Sequence, residues 1–278
     1  MNPASSTHTH TPAHESNVQR APAWRSHRFL AWLGRGFAAI GAFTLTFIRV
    51  LSLGRWRRTM RSEMLEYFYQ VGVKAVPAIA VTAALVGIGL VMQIVYWTGI
   101  AGQAERIGEF LVLVLVRQVA PIVTALVLIG RSGSVLVDEV GHLAATGHLQ
   151  VLRSMGIDPD DLITLPRSVA MSVAALVLTI LFVNVALWVG FLGAQLSGVA
   201  KQPAWELVLT VFSGLTPGDQ LLLIVKPLVL GYVIAYLSIR IGMRVQHTRG
   251  SVRHLLPKAF VSTLLATFVI GTLISAVM

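Results

Sequence analysis

Apolar runs of about twenty residues alternate with short polar segments along most of this chain. Five of the runs are long enough to cross a bilayer as helices, because a helix of about 20 residues covers the hydrocarbon core. Their predicted limits are 73–97, 110–129, 169–196, 221–239 and 259–278. The pattern therefore predicts an all-α fold, a polytopic helical membrane protein.

The first sixty residues follow a different pattern. Residues 1–28 are rich in Ser, Thr, Pro, Ala and His, which predicts a disordered tail. Its three histidines, at positions 8, 10 and 14, are better explained by a flexible polar tail than by a metal site. In residues 29–61, Arg35 and Arg49 interrupt the apolar run and a basic segment follows. A helix lying in the membrane interface is favoured there, with a true span as the alternative.

Composition supports the membrane class and argues against several soluble functions. Only 12% of residues are charged and the mean hydropathy is +0.74, whereas about a quarter of residues are charged in soluble domains. The net charge is +10, but the basic residues cluster at the ends of apolar runs, so we expect no nucleic-acid partner. Cysteine is absent from the sequence, which excludes thiol catalysis and thiolate metal sites.

The basic residues also predict an orientation. Ten lysines and arginines, from Arg20 to Lys74, lie before or at the very start of the first span, and the next connections carry one, three, one and five. Cytoplasmic connections of membrane proteins are enriched in lysine and arginine. The alternation therefore predicts five spans with the N-terminus in the cytoplasm and the C-terminus outside it. It also places the connection between the second and third spans in the cytoplasm.

That connection, residues 130–167, is the longest polar stretch of the chain. Its apolar positions predict a helix over 135–155, although Gly141 and Gly147 weaken the pattern. Gly156 is expected to end the helix, with a turn at Asp158 and Pro159. A short helix along the membrane would transmit force to the two spans that it joins.

The polar side chains of the connection and of the spans do not form a recognisable catalytic motif. The segment from Gly130 to Ser134, GRSGS, departs from the nucleophile-elbow pattern, and no predicted strand precedes it. Asp138, Glu139 and His142 could start a metal or acid–base site, but charge satisfaction at a helix end is the favoured interpretation. No Walker A motif occurs in the sequence, so an ATPase would have to be another chain. We therefore predict no catalytic residue, no metal site and no cofactor in this chain.

The connection resembles a known signature. GRSGSVLVDEVG followed by LRSMGIDPDDLITLPR is similar to the signature of the MlaE/YrbE family, the permeases of ABC transporters that work with MCE proteins. The segments 69–72, 87–93, 117–121 and 225–231 also resemble family elements, so the likeness covers about residues 29–278. Gln118 stands where the family usually has glutamate, and Gly147 departs from the family's T-E-Q in the same way.

The resemblance implies a complete transport assembly in the bacterial inner membrane. Its parts would be a permease homodimer, two ABC ATPase subunits that bind ATP and Mg²⁺, and an MCE-domain periplasmic protein. The substrate would be phospholipid or another lipid moved between the inner and outer membranes. The helix over 135–155 would be the family's coupling helix, and the residues implied in coupling to the ATPase are Asp138, Glu139, Leu149, Leu152, Arg153 and Met155.

Two other functions stay open on the residues alone. A secondary transporter needs ionisable residues at membrane depth and usually an internal repeat, and only Arg117 and Lys226 lie near that depth. An intramembrane enzyme would need a nucleophile or acid–base pair, which the sequence does not present. The lipid path is predicted by position only, and packing roles compete for each of its candidates: Gln93, Tyr96, Arg117 and Tyr232.

Overall fold

The structure, a computed structural model, describes residues 58–103, 106–156, 158–198, 204–244 and 255–277. Across these ranges the backbone is largely helical and contains no strand. Five helices within them are long and apolar enough to cross a membrane. The predicted all-α polytopic architecture is thereby confirmed. The predicted tail and residues 29–57 of the predicted interfacial segment lie outside the described residues.

The helices of the described ranges are labelled in chain order. They are α1 Arg58–Val71, α2 Val76–Ile100, α3 Ile107–Ala145, α4 His148–Ser154, α5 Leu165–Leu196, α6 Ala204–Ser213, α7 Pro217–Met243 and α8 Leu255–Val277. A 3₁₀ turn, Val73–Ala75, joins α1 to α2. Pro77 lies in the first turn of α2, where its missing N–H breaks no helical hydrogen bond. Helix α3 contains two π-helical stretches, Val112–Val119 and Ile129–Gly133.

Each predicted span overlaps one long helix, but the helices continue past the predicted limits. The difference is greatest in α3, where the span was expected over 110–129 and the helix continues to Ala145. Hydropathy marks the part of a helix that suits hydrocarbon. Backbone hydrogen bonding continues into polar residues that the hydropathy pattern excludes.

The predicted single helix over 135–155 is instead two helices. Helix α3 ends at Ala145 and α4 begins at His148, with Gly147 between them at φ +79°. This left-handed conformation favours glycine, which has no Cβ to clash with the backbone. Gly156 also has positive φ, +74°, and its N–H donates to the carbonyl of Arg153 at 3.0 Å, so it ends α4 as predicted. The connection is therefore a jointed element and not one rigid rod.

Helix α5 is the centre of the bundle and packs against α1, α2, α3 and α7. Small residues let its backbone approach α2 closely, because a side chain at the crossing would hold the helices apart. At Gly87 of α2, a Cβ atom would lie 2.4 Å from the carbonyl oxygen of Ala186, and at Gly190 it would lie 2.5 Å from the carbonyl oxygen of Gly87. Ala186 and Gly190 of α5 therefore face α2.

The bundle has two ends, named here after the short helices found at them. The α4 end is where α3 ends and α5 begins. The α6 end is opposite, where α6 packs against the start of α3 and against α5. Helix α8 lies at the edge of the bundle, packed on α7 and α3, and much of its apolar surface is exposed.

Candidate functional site

A polar cluster lies inside the bundle between α3, α7 and α8. Its five side chains are Arg117, Gln118, Asp219, Lys226 and Ser275. The first two belong to the π-helical stretch Val112–Val119. Such a stretch adds a residue to one helical turn and redirects the side chains that leave it, and π-helical turns are frequent at functional sites. Sequence periodicity alone does not predict this redirection.

Arg117 and Asp219 form an ion pair across the cluster. The Nε–H of Arg117 donates to Oδ1 of Asp219, whose side chain is 5% exposed. Asp219 is held from the other side by Thr216, which donates its hydroxyl to Oδ2 at 2.6 Å and its backbone N–H to the same oxygen at 3.0 Å. The N–H of Asp219 donates back to the Thr216 hydroxyl, which completes a capping box with Thr216 as the N-cap of α7. Asp219 therefore takes part in the helix cap and also pairs with Arg117.

Lys226 is fully buried and donates to three acceptors. Its Nζ lies 2.8 Å from the carbonyl oxygen of Arg117, 2.8 Å from Oε1 of Gln118 and 2.6 Å from the hydroxyl of Ser275. The Ser275 hydroxyl in turn donates to Oε1 of Gln118 at 3.0 Å. An ammonium has three donors, so all of its hydrogen-bonding capacity is used. All three of its acceptors are uncharged.

A cavity of about 340 Å³ opens beside this cluster. Arg117, Gln118 and Ser275 form its polar wall, while the rest is apolar: Leu113, Val114, Val119 and Leu222. Ligand pockets typically have a volume of about 300–1,000 Å³ and an apolar wall with a few polar groups. The cavity fits that description and has room for a small polar group with an adjoining apolar segment.

The four predicted lipid-path residues are not brought together. Only Arg117 lines the cavity. Gln93 and Tyr96 lie on the exposed face of α2, and the Tyr96 side chain packs edge-on against Trp97. Tyr232 is buried and stacks on Tyr236, with 6.1 Å between the ring centroids.

Four of the five cluster members are absent from the predicted lipid path. Gln118 and Lys226 stand out in the sequence for other reasons, whereas Asp219 and Ser275 do not stand out at all. Asp219 precedes the fourth predicted span, so in the sequence it resembles a loop residue. Ser275 is one serine within an apolar helix, where serine is common. A sequence signal for Ser275 does exist, because a lysine at membrane depth requires acceptors from neighbouring helices. It does not indicate which serine, threonine or amide supplies them.

The residues predicted for coupling lie at the α4 end with different exposures. Leu149 is buried and Leu152 half-buried, both packed against the core, so they attach α4 to the bundle. The side chains of Asp138, Arg153 and Met155 are exposed, and Met155 is 67% exposed. Leu149 and Leu152 therefore hold α4 against the bundle, and the opposite face of this short helix is exposed.

Glu139 belongs to a second charged contact, which joins three helices at the α4 end. The Nη2 of Arg167 in α5 donates to Oε1 of Glu139 in α3 at 2.7 Å. The same guanidinium lies 5.4 Å from the ring centre of Tyr67 in α1. Its Nη1 is buried without a partner among the described residues. Arg167 therefore links α1 and α3 to the central helix.

We expect Arg167→Met to lower the free energy of unfolding by about 2 kcal/mol, because it removes a cation–π contact and a charge-assisted hydrogen bond. Arg153→Met is the matched control, since its side chain is exposed at the same end of the bundle. That substitution should change stability by less than about 0.5 kcal/mol. Chemical unfolding of both variants in detergent micelles measures the difference. Equal effects of the two substitutions would contradict the linking role of Arg167.

The fold and the site together define a class: a polytopic helical membrane protein with a jointed connection between its second and third spans and a charged cluster inside the bundle. The family model described as Permease MlaE matches residues 64–277. The chain belongs to that family, as its sequence resemblance predicted. The match includes all five membrane-length helices except a few terminal residues.

Named relatives match between about half and nearly all of this chain. A probable ABC transporter permease protein of Synechocystis is 28% identical over 257 residues, 91% of this chain and 94% of that protein. The intermembrane phospholipid transport system permease protein MlaE of Haemophilus influenzae is 33% identical over 147 residues, 52% of this chain and 56% of that protein. The chloroplastic protein Trigalactosyldiacylglycerol 1 of Arabidopsis thaliana is 25% identical over 278 residues, 98% of this chain and 75% of that protein.

Proposed function

We propose that this protein is the membrane permease subunit of an ATP-driven ABC transporter that moves phospholipid or another lipid between the inner and outer membranes. The observation that carries the proposal is the family match over residues 64–277. A relative named as an intermembrane phospholipid transport permease supports the substrate class. A separate ATPase subunit would bind ATP and Mg²⁺, and an MCE-domain periplasmic protein would complete the lipid path. A second copy of this chain would form the other half of the permease.

The polar cluster supports a lipid substrate. A lipid needs polar contacts for its headgroup and an apolar wall for its chains, and the cavity beside Arg117 offers both. We propose Arg117 as a headgroup contact. Gln93 and Tyr96, on the exposed face of α2, are proposed contacts where lipid meets the bundle.

The distribution of basic residues supports an orientation in the inner membrane. Arg131, Arg153 and Arg167 all belong to the α4 end, which we propose faces the cytoplasm. The N-terminus would then be cytoplasmic and the C-terminus periplasmic. An ATPase would approach the α4 end, and an MCE protein the α6 end.

The exposed face of the α4 end is our proposed ATPase contact. It combines apolar and charged side chains: Asp138, Val151, Arg153 and Met155. Protein interfaces commonly centre on apolar anchors surrounded by charged groups. Leu149 and Leu152 would transmit the movement of this face to the bundle, while Glu139 would do so through Arg167.

Met155→Asp is expected to reduce the amount of ATPase that co-purifies with the permease by about tenfold, because it places a charge in an apolar contact. Leu196→Asp is the matched control: Leu196 is 82% exposed at the α6 end, so the same change in chemistry should leave ATPase binding intact. Affinity purification from membranes, with quantitative mass spectrometry of the bound proteins, provides the measurement. Loss of the ATPase in both variants would argue against docking at α4.

Reconstitution tests the transport activity itself. The complex that co-purifies with the chain is placed in liposomes containing fluorescent phospholipid, and lipid movement is followed with ATP, with ATP but no Mg²⁺, and with a proton gradient alone. Movement that needs both ATP and Mg²⁺ supports the proposal. Movement driven by the ion gradient in liposomes that hold only this chain would instead establish the secondary transporter.

A further inference from the structure

We propose that the cavity beside the polar cluster selects a lipid headgroup with net negative charge, a phosphate without its own ammonium, and that buried Lys226 sets this preference. The inference rests on the proposed lipid transport and specifies its substrate. Lys226 lies directly behind the cavity wall, because Gln118 and Ser275 line the cavity and both accept hydrogen bonds from its Nζ. One layer of side chain separates the cation from the cavity.

The charges of the cluster do not cancel. Among the described residues, its cations are Arg117 and Lys226, and its carboxylate is Asp219. Asp219 is committed to Arg117 and to two donors of Thr216. The contacts of Lys226 are a carbonyl, an amide oxygen and a hydroxyl, none of which carries charge. One positive charge therefore remains beside the cavity, where low dielectric strengthens its effect on a ligand.

The polar wall also offers donors in preference to acceptors. The amide oxygen of Gln118 already accepts from both Lys226 and Ser275, which leaves its NH₂ group without a protein partner in the described part of the chain. Arg117 uses Nε for Asp219, and the side chain is 35% exposed, so its two Nη groups are accessible. The Ser275 hydroxyl donates to Gln118. A phosphate, which only accepts, complements such a wall.

A zwitterionic headgroup fits this wall less well. Its ammonium would add a second cation beside Lys226. Within the described ranges, the carboxylate of the cluster is that of Asp219, which already pairs with Arg117. Unpaired charge in a low-dielectric site is costly, and like charges repel. The uncharged amide of Gln118 is what leaves the charge of Lys226 unbalanced. A glutamate at position 118 would accept the same hydrogen bond as a carboxylate and would cancel the positive charge of Lys226.

The test compares bound lipid between the unmodified protein and Gln118→Glu. The full complex is purified from nanodiscs made with equal amounts of phosphatidylglycerol, which is anionic, and phosphatidylethanolamine, which is zwitterionic, and bound lipid is measured by mass spectrometry. We expect the unmodified protein to enrich phosphatidylglycerol, and Gln118→Glu to lower that enrichment about tenfold, the effect of losing one charge-assisted contact. Gln195→Glu makes the same chemical change at an exposed position of α5 and should keep the enrichment.

Lys226→Met provides a second variant should Gln118→Glu fail to fold. It removes the charge while keeping the length of the side chain, and Ser275 and Gln118 still bond to each other. This variant should also lose the enrichment for phosphatidylglycerol. Unchanged enrichment in whichever of the two variants folds would overturn the role of Lys226.

The remaining outcomes separate the inference from the proposed function. ATP-dependent transport with equal binding of the two lipids would overturn the charge preference and leave the transporter intact. Absence of ATP-dependent lipid movement in the assembled complex would overturn both. Displacement of phosphatidylglycerol by soluble glycerol phosphate at similar concentration would identify a small phosphate anion as the ligand and overturn the lipid assignment.

Discussion

Asp219→Asn is expected to lower the free energy of unfolding by about 3 kcal/mol, because removing one partner of a buried ion pair leaves the other charge unbalanced. The effect should fall at the lower end of the range for buried pairs, since the Arg117 side chain is 35% exposed. Asparagine keeps the size of the side chain and one oxygen for Thr216, so the substitution removes mainly the charge. After it, Arg117 and Lys226 remain as two cations in one cluster.

Two controls separate the ion pair from the helix cap. Thr216→Ala removes the cap of α7 and keeps the carboxylate, and it should cost about 1 kcal/mol. The double variant Arg117→Gln/Asp219→Asn removes both charges and should be more stable than Asp219→Asn alone. Chemical unfolding in detergent micelles gives all the required free energies. A double variant no more stable than the single one would show that pairing is not the reason for the loss.

The sequence identifies the two cations of the polar cluster, but it does not identify the residues that pair with them. Arg117 and Lys226 are visible in the sequence because each interrupts an apolar run. Asp219 is not, because it contacts Arg117 across 102 positions of the chain. Such a contact depends on which helices become neighbours and at what height, and neither follows from the hydropathy of a single span.

The connection between α3 and α5 contains a second feature that the sequence pattern does not predict. Its composition and charge identify it as the polar element between the second and third spans, and Gly156 is identifiable as a helix end. The division at Gly147 depends on a single φ angle of +79°, and an apolar periodicity of 3.6 residues continues across one such residue. The apolar periodicity therefore predicts that the segment is helical, but it does not predict the break between the two helices at Gly147.

The spacing of small residues is the feature of the sequence that predicts helix packing most directly. The spacing of Ala83 and Gly87 in α2 and of the small residues Ala186, Gly190 and Ala194 in α5 predicts close helix approach. In the structure, Gly87 meets Ala186 and Gly190 at the crossing of the two helices. Gly89 lies in the same helix as Gly87, yet a Cβ atom there would have nothing within 4 Å. Composition alone cannot rank the two glycines, because their difference depends on which face of α2 meets α5.

Gly87→Ala is accordingly expected to destabilise the protein by about 3 kcal/mol, since overpacking of a tight contact forces backbone shifts. The new Cβ would lie 2.4 Å from the Ala186 carbonyl oxygen and 2.6 Å from the Ala186 Cα, and backbone atoms cannot rotate away as a flexible side chain can. The two helices would have to separate along their crossing. We expect the loss to appear as a lower unfolding midpoint in detergent micelles.

Gly89→Ala makes the identical substitution on the exposed face of α2. It should leave stability unchanged or raise it by up to about 1 kcal/mol, because alanine loses less backbone entropy than glycine when a helix forms. The opposite signs of the two substitutions are the diagnostic result, since helix propensity alone predicts stabilisation at both positions. Stabilisation by Gly87→Ala would mean that α2 and α5 are farther apart in the membrane than the small-residue contact requires.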